Sequence, residues 1–166
     1  MTWFADAFSK RCAMRFVELK IPPPLVALGT GILMWLAASL MPPFDIPDII
    51  RVSATLTLAL VGIGLDLTGL ITFLRARTTI NPLKPTATAA LVTTGLYRFT
   101  RNPMYLGMLL VLLGWAMFLS NLAALLIAPL FALYITRFQI IPEERVLTEK
   151  FGTAFMVYQS QVRRWL

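Results

Sequence analysis

The chain alternates between long, uninterrupted apolar blocks and short stretches that hold nearly all of its charge. A first block runs from Leu25 to Met41, opened by Pro22, Pro23 and Pro24 and closed by Pro42 and Pro43. A second runs from about Ala54 to Leu74 and contains one charge, Asp66. The third covers Met104 to Leu119 and the fourth Leu122 to about Ile141. Only Ser120 and Asn121 separate these two, which predicts a tight antiparallel helical hairpin. At about 1.5 Å of rise per residue, helices of this length cross roughly 24–32 Å of hydrocarbon. The expected fold is therefore all-α: one polytopic membrane domain over residues 1–166 with four transmembrane helices, the last two paired as a hairpin. Phe4, Phe8, Cys12 and Phe16 recur every four residues, and Phe151, Phe155, Tyr158 and Val162 follow a similar spacing. Both patterns suit short interfacial helices at the termini, or equally helices that pack on the protein itself. Residues 1–20 carry charges throughout and no apolar core, so they read as an interfacial segment rather than a secretory signal.

Composition strengthens the membrane reading. Of the 166 residues, 58% are hydrophobic and 14% charged, against about 45–50% and 25% in a soluble domain. The formal charge of +7 comes from 15 basic and 8 acidic residues, and its placement decides its meaning. Lys10, Arg11, Arg15 and Lys20 precede the first block; Arg75, Arg77, Lys84, Arg98 and Arg101 lie between the second and third. Arg137, Arg145, Lys150, Arg163 and Arg164 lie at or beyond the end of the fourth, and only Arg51 falls on the opposite side. By the positive-inside rule the two termini and the long connection face the cytoplasm. The charge is then a signature of orientation and lipid headgroups, not of nucleic-acid binding. Histidine is absent and Cys12 stands alone, so His-based catalysis, an internal disulfide and a Cys or His metal site are not expected.

Chemistry is expected on the cytoplasmic side. The segment from Arg75 to Pro103 is the longest polar stretch, rich in Thr, Pro and Gly. Glu143 and Glu144 follow the fourth block. The short hairpin brings the start of the third helix and the end of the fourth to one membrane face, so Arg101 should approach the two glutamates. An arginine with paired carboxylates suits a zwitterion such as an amino-acid group, and equally a salt-bridge cluster that locks the hairpin.

Two stretches, Leu91-Val92-Thr93-Thr94-Gly95-Leu96-Tyr97 and Arg101-Asn102-Pro103-Met104-Tyr105-Leu106-Gly107, together with Glu143-Glu144, Leu147, Phe151-Gly152 and Tyr158, form an ordered set. This set resembles the signature of the isoprenylcysteine carboxyl methyltransferases, whose superfamily includes the phospholipid methyltransferases. The resemblance covers roughly residues 75–166 and implies an integral-membrane methyltransferase using S-adenosylmethionine, with a lipid or lipid-modified substrate. It implies a cofactor pocket lined by Leu91, Val92, Tyr97, Asn102, Pro103, Met104, Tyr105 and Glu143. Glu143 would take the cofactor's ammonium, while Arg101 or loop amides would hold its carboxylate. Arg101 and Glu144 are the catalytic candidates, Glu144 as proton acceptor for an amine or hydroxyl. Two positions depart from the pattern: Asn102 stands where the isoprenylcysteine enzymes carry histidine, and Gln139 where they carry an arginine for the substrate carboxylate. Such a substrate is expected to enter from the bilayer, through a gap near the third and fourth helices.

Asp66 reads either as a functional intramembrane carboxyl or as a packed structural one among Gly62, Gly64 and Gly69. The rival functions are a nicotinamide-dependent membrane reductase of the sterol-reductase type, for which the chain is short, and a non-catalytic membrane scaffold.

Overall fold

A computed structural model describes residues 18–76 and 90–166. The expected helix on Phe4, Phe8, Cys12 and Phe16 lies outside the described residues. The elements are α1 (Pro23–Ala38), α2 (Asp48–Arg75), a 3-10 turn (Gly95–Arg98), α3 (Pro103–Leu119), α4 (Leu122–Ile135), α5 (Ile141–Phe151) and α6 (Thr153–Gln161). A π-helical turn, Thr136–Ile140, joins α4 to α5. Among the described residues the chain is all-helical apart from one isolated bridge between Thr100 and Arg163.

Two helical rods, α2 with 28 residues and the continuous Leu122–Phe151 with 30, are long and apolar enough to cross a membrane; α1 and α3 are shorter apolar helices. The outward faces of these helices expose Leu28, Ile32, Leu60, Leu67, Leu126 and Leu133. Apolar surface on this scale is stable only in apolar surroundings. α2 starts before the apolar block because Asp48 sits in its first turn, where the helix dipole favours an anion, and pairs with Arg51 at 2.7 Å.

Small residues set the closest approach, that of α2 to α3. A Cβ on Gly62 would come within 2.6 Å of the Gly107 carbonyl oxygen, and one on Gly107 would overlap Asp66. Gly69 meets Met104 in the same way, whereas Gly64 has nothing near it and faces outward. With lipid outside, such close backbone packing replaces the hydrophobic effect as the force between helices. Gly107→Val should therefore separate α2 from α3 and lower stability by at least ~1–3 kcal/mol; a detergent melt indistinguishable from the unchanged protein would contradict this packing.

Asn121 fixes the expected hairpin. Its side-chain oxygen accepts from Ala123 N–H at 2.9 Å, capping α4, and its amide nitrogen donates to the Met41 carbonyl at 3.0 Å. Behind it, Met34 of α1, Ala116 of α3 and Ala124, Ala128, Phe131 and Ile135 of α4 form the core.

The other end of the bundle is organised by Pro142. Proline has no N–H, so the Phe138 carbonyl four residues earlier loses its helical donor. Leu19 N–H takes that place at 3.0 Å, and Gln139 donates its amide to the Ile21 carbonyl at 2.6 Å. Glu18 adds ion pairs to Arg137 at 3.1 Å and Arg145 at 3.3 Å. The chain entering α1 is thus tied to the π-helical turn. After α5, Gly152 takes a left-handed φ of 54°, and the chain turns into α6. Of the C-terminal apolar pattern, Phe155 and Tyr158 are buried in the protein, while Phe151 and Val162 stay partly exposed.

Candidate functional site

At the charged end of the bundle a cavity of about 190 Å³ opens between the start of α1, the end of α2, the segment around Leu91, the start of α3, and α5 and α6. Backbone geometry explains the convergence. Gly95, with φ of 63°, turns the chain into the 3-10 turn that buries Tyr97. Tyr97 packs edge-on against Phe73 of α2, ring centroids 5.3 Å apart, and its carbonyl accepts from Tyr158 Oη at 2.7 Å. The C-terminal tail crosses the same loop as a strap: Arg101 N–H donates to the Arg163 carbonyl at 3.0 Å, and Asn102 Nδ2 donates to the Arg164 carbonyl at 2.9 Å.

Charged groups are arranged asymmetrically. Arg101 reaches Glu144 at 3.1 Å, and Arg164 holds both oxygens of the same carboxylate at 3.1 and 2.7 Å. This ion-pair bond to Glu144 holds the Arg164 guanidinium above its ordinary range. The Arg101 Nε is buried and lacks a hydrogen-bond partner among the described residues. Glu143, beyond the apolar part of its helix, has no ion pair among the described residues and accepts one hydrogen bond from Tyr105 Oη at 3.3 Å. Burial pushes its carboxyl up to about 7, with the neighbouring Glu144 charge adding to the shift and the Tyr105 bond opposing it. Burial likewise raises the Tyr97 hydroxyl, and it raises Tyr158 to about 12 against the opposing charge of Arg101.

Of the positions singled out in the sequence, Leu91, Val92, Tyr97, Arg101, Asn102, Met104, Tyr105, Glu143 and Glu144 line this cavity. Pro103 does not; it is buried as the first residue of α3, where its missing N–H costs nothing. Gln139 does not either. It is fully buried, its amide nitrogen donating to the Ile21 carbonyl and its Oε1 without a hydrogen-bond partner among the described residues. Glu144, held between two guanidinium groups, anchors them and is poorly placed as a free proton acceptor. Asn102 spends a donor on the tail strap.

Phe73, Pro23, Pro24, Met108, Ile140 and Phe155 also line the cavity; sequence patterning assigned Phe73, Met108 and Ile140 only to apolar blocks, the two prolines to a block boundary and Phe155 to the C-terminal apolar pattern. Arg164, bound to Glu144 beside the cavity, is the other addition; the sequence marked it only as one of the basic residues that set orientation.

A second, wider groove of about 780 Å³ lies further into the apolar part of the bundle. It runs between α1, α2 and α3 and shares Pro24 and Met108 with the cavity. The groove thus lies beside the first three helices, whereas the entry route expected from the sequence lay near the third and fourth.

An all-helical bundle with large outward apolar faces and a charged cavity at one end defines a membrane-associated protein with a site at the polar boundary. The chain belongs to the phospholipid methyltransferase family, whose model matches residues 50–154. An uncharacterised protein of Haemophilus influenzae is 48% identical over 63 residues, which are 38% of this chain and all of that protein. No solved structure matches. The matched region runs from the first turns of α2 into α6 and includes the cavity residues from Phe73 to Leu147.

Proposed function

We propose that the chain crosses the membrane four times, with both termini and the cavity on the cytoplasmic face, and transfers a methyl group from S-adenosylmethionine to a lipid acceptor. The observation that carries this reading is the cavity's pairing of Glu143, which has no counter-charge among the described residues, with the Nε of Arg101, which has no partner among them. The amino-acid portion of the cofactor offers complementary groups: an ammonium for Glu143 and a carboxylate for Arg101. Leu91, Val92, Met104, Leu147 and Phe155 supply apolar walls, and Tyr97 and Tyr105 supply rings for the adenosine portion.

The cofactor, when bound, supplies an electrophilic methyl group on a sulfonium. The protein's part is to hold donor and acceptor in line and to exclude water, tasks that need neither histidine nor metal. Glu144 keeps Arg101 and Arg164 in place, and the tail strap fixes the Arg101–Asn102 loop. Lipid would arrive through the groove beside α1, α2 and α3. The described lining of that groove holds no cation for a substrate carboxylate, and position 139 carries glutamine, which favours a phospholipid-type acceptor over a prenylated cysteine.

Calorimetric titration of the detergent-solubilised protein tests the cofactor assignment. Heat of binding is expected with S-adenosylmethionine and none with NADPH. Silence with the first, or binding of the second, would contradict the proposal.

A further inference from the structure

α1 and α2 both pack on α3 but barely on each other, and the groove lies in the gap. Its walls are apolar, with Leu28, Ile32, Trp35, Val111 and Trp115 prominent, and Asp66 is the one ionisable side chain that lines it among the described residues. The Asp66 Oδ1 is buried and without a hydrogen-bond partner among the described residues. Its neighbours on α2 behave differently: the hydroxyls of Thr68 and Thr72 return to their own helix, on Gly64 and Thr68 carbonyls at 2.7 Å each. An ionisable group at membrane depth is costly unless something partners it.

Asp66 is also close to the cavity. It precedes Gly69 by about one turn, roughly 4.5 Å along the helix axis, and a Cβ on Gly69 would lie 3.6 Å from the Tyr97 hydroxyl that borders the cavity. The absence of a side chain at Gly107 leaves the space that the Asp66 carboxyl fills. Asp66 therefore stands where an amphiphile with its chain in the groove would place its polar head on the way to the cavity.

We propose that Asp66 is a specificity-determining residue for the methyl acceptor: it receives an N–H-bearing head and selects an amine-bearing amphiphile over one that presents a carboxylate. The argument is charge complementarity. A cationic or N–H head supplies the partner that the carboxyl lacks, whereas a carboxylate head would meet a like charge in a groove whose described lining holds no lysine or arginine. That the bound amphiphile is the methyl acceptor rests on the methyltransferase reading above; the recognition by Asp66 does not.

Trp35 and Trp115 line the groove and report its occupancy without any cofactor. The experiment titrates the full-length protein in nanodiscs with doxyl-labelled stearylamine and with doxyl-labelled stearate, and follows tryptophan quenching. The amine is expected to quench at concentrations about tenfold lower than the acid. Asp66→Asn should remove that preference and Asp66→Glu should keep most of it. With an amine acceptor, Asp66→Asn should raise KM more than it lowers kcat while leaving cofactor affinity unchanged. Equal quenching by the two probes, or an amine preference that persists in Asp66→Asn, overturns the proposal. If Asp66→Asn does not fold, the unmodified protein's response to the matched probes decides alone. A clear amine preference without any methyl transfer would refute the methyltransferase reading and leave the recognition role standing.

Discussion

Glu143→Gln should weaken S-adenosylmethionine binding by about 10- to 100-fold, the equivalent of roughly 1.5–3 kcal/mol for a lost charge-assisted hydrogen bond. The substitution keeps the shape of the side chain and its capacity to accept from Tyr105, which lies 3.3 Å away, so the loss isolates charge. A pH dependence follows from the same residue. Its carboxyl is raised to about 7 by burial, so it is mostly protonated below that pH and cannot answer an ammonium. Affinity should fall as pH drops through 7, approaching about tenfold per unit, and should be nearly flat for Glu143→Gln.

Stability should move the other way. A carboxyl whose folded pKa exceeds its unfolded value stabilises the fold less as pH rises from the unfolded pKa, near 4.5, to the folded one, near 7. Without cofactor, Glu143→Gln should melt at or above the unmodified protein at pH 8, by roughly 1–3 kcal/mol, and the gain should vanish below pH 4.5. A variant that binds the cofactor normally, or that melts lower at pH 8, would contradict the role given to Glu143.

Glu144→Ala is expected to have the other large effect. It strands Arg101, whose side chain is 12% exposed, and releases Arg164, which is 35% exposed. Breaking a buried ion pair on one side costs about 3–5 kcal/mol; the partial exposure of Arg164 brings the expectation to about 2–4 kcal/mol. Activity should fall with it, because the guanidinium of Arg101 then has no anchor beside the cavity. Arg164→Ala should cost less, about 1 kcal/mol, and the double variant should lose less than the sum of the two, since both act on one cluster. Additive losses would show that Arg164 and Glu144 work independently. If Glu144 were instead the proton acceptor of the reaction, Glu144→Gln would abolish turnover while Arg164→Ala left it intact.

The sequence made the bundle legible because a bilayer imposes a simple pattern. Leu122 to Ile141 and Met104 to Leu119 read as apolar helices, and Ser120-Asn121 left them no choice but a hairpin. The approach of Arg101 to Glu144 followed from that hairpin alone. Other features turn on backbone events that leave little trace in composition. Pro142 frees the Phe138 carbonyl for Leu19, which ties the chain entering α1 over the buried Gln139. The strap of Arg163 and Arg164 over Thr100 to Asn102 joins residues far apart in the chain, and no local periodicity announces it. Gly62 and Gly64 look equivalent as a pair, yet helical rotation puts one against α3 and the other outward. The position of the groove was not legible for a related reason: which helices leave a gap depends on how α1 and α2 divide the surface of α3.

The most direct test of the account is label transfer. Membranes or nanodiscs containing the purified protein are incubated with methyl-labelled S-adenosylmethionine, and the lipid fraction is extracted and counted. Label should enter a lipid, and it should fall by about 10- to 100-fold with Glu143→Gln at subsaturating cofactor. A lipid fraction that stays unlabelled with the intact protein, or that labels equally well with Glu143→Gln, would contradict it.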